Sequence, residues 1–167
     1  MDFFIRKGLI MKKVLWISSQ GGHLNELLQL EPLFSKYDSY FMTEKTVATQ
    51  FLKEKYPEKT SYLLYGTRHN ILFYPFILFA NCFISLYHYL RFRPDYIIST
   101  GSHTAGPMCC IAKIMGSKVI YIETFANSEN KTAAGRLIYL FADLFIVQWE
   151  SMLKVYPKSK FGGWIFK

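Results

Sequence analysis

Three short stretches carry the residue types that do chemistry. The first is Ser18-Ser19-Gln20-Gly21-Gly22-His23-Leu24. It follows an apolar run and opens a helical one. A glycine pair at such a junction turns the backbone tightly and exposes N–H groups, and the positive end of the helix favours phosphate or another anion. His23 adds an imidazole, which is neutral near pH 7 and suited to removing a proton from a hydroxyl. The second stretch is Ser99-Thr100-Gly101-Ser102-His103-Thr104-Ala105-Gly106-Pro107. Gly101 and Gly106 permit close approach, Ser102 and Thr104 can donate to phosphate or sugar oxygens, and His103 can be neutral or cationic. The third is Ile122-Glu123-Thr124-Phe125-Ala126-Asn127, where Glu123 could accept hydrogen bonds from sugar hydroxyls or act as a base. Each has a plainer reading: a tight turn, a surface loop, a helix cap. Together they favour one binding cleft, with His23 the first candidate for general base and Glu123 the second.

The elements around these stretches alternate. Lys13–Ile17 predicts a buried strand, and Leu24, Leu27, Leu28 and Phe34 recur at helical spacing. A strand at Ser39–Met42 and a helix at Thr46–Lys55 follow, then a strand at Ser61–Tyr65 and a long helix at Ile71–Leu90. Asp95–Ser99, Lys118–Ile122 and Leu144–Val147 read as strands, separated by helices at Ala105–Met115 and Ala133–Phe141. This rhythm predicts an α/β fold: one doubly wound, Rossmann-like parallel sheet with right-handed crossovers. In such sheets ligands bind outside the carboxyl ends of the strands, where all three stretches fall.

The chain has 167 residues, room for one domain, and its 51% apolar and 18% aromatic content is too high for a disordered segment. Residues 1–10 read as an extension and 11–167 as the domain; no cleavable signal peptide is evident. A net charge of +8 asks for an anionic partner. The basic residues form no dense stripe, which disfavours nucleic acid. Cys82, Cys109 and Cys110 lie in apolar surroundings and read as reduced thiols rather than a metal or redox site. No Asp-x-Asp motif is present, and the residues singled out require no metal or cofactor.

Ile71–Leu90 contains no Asp, Glu, Lys or Arg, and seven of its twenty residues are aromatic. Its length of about 30 Å would cross a bilayer core. The strands before and after it belong to one sheet, however, which argues against crossing. The favoured reading is an in-plane membrane-docking helix with Phe73, Phe76, Phe79 and Phe83 in the lipid. Arg68, Arg91 and Arg93 flank it with charge suited to anionic headgroups. A fully buried helix and a true span are the alternatives.

Gln20-Gly21-Gly22-His23, the Thr-Gly-Ser-His-Thr-Ala-Gly-Pro loop and the Ile-Glu-Thr strand end together resemble the N-terminal half of GT-B glycosyltransferases that act on polyprenyl-diphosphate-linked acceptors. The sequence is similar to the membrane subunit of the two-chain N-acetylglucosaminyltransferase of dolichol-linked oligosaccharide synthesis, and looks nearer still to its bacterial counterparts in capsule and exopolysaccharide synthesis. The similarity runs from about Met11 onward. The single-chain peptidoglycan N-acetylglucosaminyltransferase has a similar first half, with Ser-Gly-Pro where this chain has Ala105-Gly106-Pro107, and an additional glycine-rich turn where this chain has Ser18-Ser19-Gln20.

The resemblance implies the acceptor-binding, membrane-docking subunit of a glycosyltransferase, inactive alone, at the cytoplasmic membrane face. The UDP-sugar would be bound mainly by a partner subunit, and the acceptor would be a polyprenyl-diphosphate saccharide. Gly21, Gly22, Gly101, Ser102, His103, Thr104 and Gly106 would hold the acceptor's diphosphate or sugar. The aromatic tail, with Phe161, Trp164, Ile165 and Phe166, reads as the partner interface, or else as a terminal element on its own domain. Two other classes stay open: a non-catalytic membrane scaffold and a free-standing nucleotide-binding α/β protein.

Overall fold

The computed structural model describes residues 11–66 and 73–166. They form one all-parallel seven-stranded sheet in the order β3-β2-β1-β4-β5-β6-β7. The strands are β1 (Lys13–Ile17), β2 (Asp38–Glu44), β3 (Thr60–Leu63), β4 (Tyr96–Ser99), β5 (Lys118–Ile122), β6 (Leu144–Val147) and β7 (Lys160–Phe161). The helices are α1 (Gly22–Leu28), α2 (Glu31–Phe34), α3 (Phe51–Lys55), α4 (Tyr74–Phe92), α5 (Gly106–Ile114), α6 (Ala133–Ile138) and α7 (Met152–Val155). This is the doubly wound α/β fold expected. Strand order reverses between β1 and β4, so the β1–α1 and β4–α5 loops meet at the switch point.

Alternation along β1 divides the core in two. Leu15 and Ile17 face α4, α5 and α6 through Tyr89, Phe92, Met108, Cys109 and Ile138. Val14 and Trp16 face the opposite layer, with Leu24, Leu27, Phe34 and Leu52. The strand entrances are held by aspartates. Asp143 accepts from the Val119 N–H and from Lys113 and Lys118, each at 2.9 Å. Burial alone would raise this carboxyl, but those three donors outweigh it and hold it at about 2.

Several boundaries differ from the sequence expectation. The expected helix at Thr46–Lys55 begins as a 3₁₀ turn, Val47–Thr49, because Thr46 and Thr49 form a reciprocal capping box that tightens the first turn. The expected Ile71–Leu90 helix runs from Tyr74 to Phe92, with Pro75 in its first turn and Arg93 in a left-handed cap (φ 45°). β7 is the terminal element that the sequence offers as the alternative reading of the tail, and its two residues are too few to show an alternating pattern.

Helix α4 is inverted in polarity. Its buried face carries Asn81, Ser85 and Tyr89. The Asn81 amide pairs with both backbone groups of Leu64, accepting from N at 2.8 Å and donating to O at 3.0 Å, and so continues the pairing at the end of β3. The outward face presents Phe76 (71% exposed), Phe79, Phe83, Tyr87 and Leu90. Phe73, just before the helix, is also exposed. A fully buried α4 is therefore ruled out. No helix among the described residues is long and apolar enough to cross a membrane. Arg91 and Arg93 lie exposed at the C-terminal end of α4, where positive charge also favours the helix dipole. Arg68 lies outside the described residues.

Candidate active site

The two loops at the switch point are stitched together through His23. Its Nδ1 lies 2.9 Å from the Thr100 carbonyl, and the Thr100 hydroxyl donates to the His23 carbonyl at 2.7 Å. The Ser19 N–H donates to the Gly101 carbonyl at 3.1 Å. A carbonyl can only accept, so this contact calls for a proton on Nδ1; in the neutral ring the lone pair is then on Nε2. Gly101 makes the arrangement possible. It has φ +109°, and a Cβ there would stand 2.8 Å from His23 Nδ1. Only glycine leaves room for the ring this close to the loop.

His23 lines a cavity of about 200 Å³ with Ser102, His103, Tyr121, Thr124 and Thr132. Burial, reinforced by the Glu123 carboxylate, pushes the Tyr121 hydroxyl well above the ordinary tyrosine range, so it stays neutral. His103 is half-buried and engaged on both ring nitrogens, Nε2 with the Gly66 carbonyl and Nδ1 with the Ser102 hydroxyl, each at 3.3 Å. Of the two loop histidines, His23 is the one with a ring nitrogen, Nε2, left without a partner among the described residues.

Glu123 reaches the same sheet edge but points inward. It is 1% exposed. One oxygen accepts from the Thr124 N–H at 3.1 Å, the other from the Tyr156 hydroxyl at 2.8 Å, and the Thr132 hydroxyl bridges both at 3.0 Å. A Cβ on Gly135 would collide with it. Glu123 thus ties the start of α6 and Tyr156 to β5, with no oxygen turned to the cavity.

Of the other residues singled out in the sequence, Ser102 and His103 share the cavity with His23, and Gly101 packs against the His23 ring. Gly21 and Gly22 are exposed beside it at the start of α1. Thr104 is buried within the 3₁₀ turn His103–Ala105 and does not line the cavity. Gly106 lines a neighbouring apolar groove instead.

One central residue was not anticipated. Glu26 is 3% exposed, one helical turn after His23. It accepts from the Thr124 hydroxyl at 2.7 Å, the Phe125 N–H at 3.2 Å and the Gln148 amide at 3.1 Å. Burial pushes its carboxyl up, against the lowering pull of Thr124, the His23 ring, Phe125 and Gln148. It locks α1, and with it His23, to the β5 and β6 loops. The signal for it was a His-x-x-Glu spacing, which puts both side chains on one side of α1.

The tail is partly domain packing. After β7, Ile165 donates its N–H to Gln148 at 2.9 Å, and Trp164 packs on Phe125 and Trp149. Trp164 remains 61% exposed, and Phe161 and Phe166 are exposed beside it.

Residues 68–165 match the family model described as Oligosaccharide biosynthesis protein Alg14 like. The chain is 27% identical over 177 residues to the mouse UDP-N-acetylglucosamine transferase subunit ALG14, covering 90% of this chain and 82% of that protein. It is 26% identical over 179 residues to the fission yeast (Schizosaccharomyces pombe) subunit of the same name, covering 95% and 85%. Among solved structures it superposes on Acinetobacter baumannii MurG with a TM-score of 0.71 and 18% identity, over 90% of this chain but only 44% of MurG. That likeness is one of fold: a single α/β half of a two-domain GT-B molecule. On this match and this fold, the chain belongs to the Alg14-like family of oligosaccharide biosynthesis proteins.

Proposed function

We propose that the chain is the acceptor-binding, membrane-docking subunit of a two-chain glycosyltransferase. A partner subunit holds the nucleotide-sugar, UDP-N-acetylglucosamine by the names of its curated relatives. The acceptor is a saccharide on a polyprenyl diphosphate, used in assembling lipid-linked oligosaccharide or surface polysaccharide at the cytoplasmic membrane face. The observation that carries this reading is His23: its Nδ1 stands against the Thr100 carbonyl, and the residue lines a cavity at the carboxyl edge of the sheet.

In this reading the acceptor hydroxyl sits against Nε2. As the glycosidic bond forms at the sugar's anomeric carbon and the UDP oxygen departs, the hydroxyl proton passes to Nε2. The Thr100 carbonyl, facing Nδ1–H, steadies the imidazolium that results. Ser102 and the Tyr121 hydroxyl donate to acceptor oxygens, and Gly21 and Gly22 offer the unhindered backbone beside them. Glu123 positions the walls and takes no proton. Membrane attachment falls to Phe73, Phe76, Phe79 and Phe83, with Arg91 and Arg93 toward anionic headgroups. The exposed Phe161, Trp164 and Phe166 form a patch for the partner, with the Ile165 N–H anchoring the segment to Gln148.

Reconstitution on anionic vesicles tests this. Each chain alone should transfer no sugar and the mixture should. The wild-type chain should float with the vesicles, while the triple Phe76→Ser, Phe79→Ser, Phe83→Ser variant stays in the soluble fraction. Robust transfer by this chain alone would refute the two-chain reading.

A further inference from the structure

An apolar groove of about 440 Å³ runs between α4, α5 and α6, a size within the usual range of small-molecule sites, about 300–1,000 Å³. Tyr74, Leu78 and Cys82, at i, i+4 and i+8, form its α4 wall; Pro107 and Ile111 form its floor on α5, and Leu137 faces them from α6. Nothing in its lining would stabilise a charged ligand along its length. Two features make it more than a gap between helices. First, it adjoins the cavity beside His23: His103, Ala133 and Ala134 line both. The polar end is there, where the His103 ring stands 5.2 Å from that of Tyr74. Second, its α4 wall lies next to the exposed stripe Phe76, Phe79, Phe83 on the same helix, so the groove opens beside the face assigned to the bilayer.

We infer that this groove receives the diphosphate-proximal isoprene units of the acceptor, while the diphosphate and saccharide lie in the cavity beside His23. The inference rests on the lipid-linked acceptor proposed above and adds where its chain leaves the site. A polar cavity adjoining an apolar groove beside a membrane-assigned face matches an amphiphile threaded from bilayer to active site. A soluble sugar acceptor would use only the cavity. A ligand seated in the groove would also be held in place for the reacting hydroxyl, so the chain contributes orientation as well as affinity.

The groove carries its own probes. Cys82 and Cys110 line it as half-buried free thiols, and Cys109 is fully buried on the far side of α5, where burial pushes its thiol up to about 12. With the full chain on phosphatidylcholine–phosphatidylglycerol vesicles, N-ethylmaleimide should label Cys82 and Cys110 and spare Cys109. Farnesyl diphosphate at about four times its dissociation constant should slow that labelling about fivefold, the mass-action factor for one site. Inorganic pyrophosphate should give no protection. Ala134→Phe, which fills the groove from α6, should abolish farnesyl protection without changing vesicle binding. Equal protection by pyrophosphate, no protection by farnesyl diphosphate, or thiols already shielded by vesicle lipid alone would each overturn the inference, the last by giving the groove to an acyl chain. The wild-type measurement decides these without the variant. Failure of the two readings is separable. Farnesyl protection with no sugar transfer by the two-chain pair would leave the groove standing and sink the transferase role. Equal kcat/KM for a prenyl-linked and a water-soluble acceptor would do the reverse.

Discussion

The β1–α1 loop and the β5–α6 loop end at the same sheet edge, and each delivers one acid–base side chain supported by one glycine. His23 packs on Gly101 and Glu123 on Gly135. The outcomes are opposite. His23 spends one nitrogen on the Thr100 carbonyl and keeps the other for the cavity. Glu123 spends both oxygens on Thr124, Thr132 and Tyr156. Position at the carboxyl edge alone therefore does not leave a side chain free to take a proton; a ring nitrogen without an internal partner is what distinguishes His23. A side chain whose every valence is satisfied internally is part of the frame, however well its chemistry would suit the reaction.

This contrast can be broken at either end. The largest effect on stability is expected from Glu123→Ala, which strands the buried Tyr156 hydroxyl and opens a gap beneath α6. A loss of about 3 kcal/mol is expected in denaturant unfolding. A variant as stable as the parent would mean that Glu123 is not structural. Next comes Gly101→Ala. It places a methyl against His23 in a backbone conformation (φ +109°) that alanine resists, at about 1–3 kcal/mol. Because the ring must move, turnover of the reconstituted pair should fall about tenfold; unchanged turnover would detach catalysis from the His23 pose. The smallest effect lies at the other end of the sheet. Asp143 is held at about 2, below its ordinary 3.8, so its stabilising contribution is complete above pH 4 and is lost as pH falls toward 2. Asp143→Asn should flatten that acid limb of a stability–pH curve. An unaltered limb would show that other carboxylates govern it.

Where the local signal was strong, the sequence was enough. β1, β5 and β6 begin and end at the residues expected, because each is an apolar run bounded by polar or glycine-rich turns. His23 was legible because Gly-Gly-His at a strand-to-helix junction is a local pattern. Glu26 and the inward turn of Glu123 were not, because they depend on partners far along the chain. Thr124 is 98 residues from Glu26, Gln148 is 122 away, and Tyr156 is 33 from Glu123. The aromatic content of α4 was plain, but which face it lay on was settled by Asn81, whose amide must reach Leu64 and so turns the phenylalanines outward. The apolar groove has no sequence signature at all, since three helices build it from unremarkable Leu, Ile, Ala and Cys positions.

The central claim is that His23, and not Glu123, is the acceptor-side base. The direct measurement is kcat of sugar transfer by the two-chain pair, per folded molecule, with His23→Ala and Glu123→Gln side by side. The account predicts a loss of at least about a hundredfold for His23→Ala, with vesicle binding and partner assembly unchanged, and a loss below about tenfold for the folded fraction of Glu123→Gln. A His23→Ala pair within about threefold of wild type, or a Glu123→Gln pair that folds fully and is inactive, would contradict it.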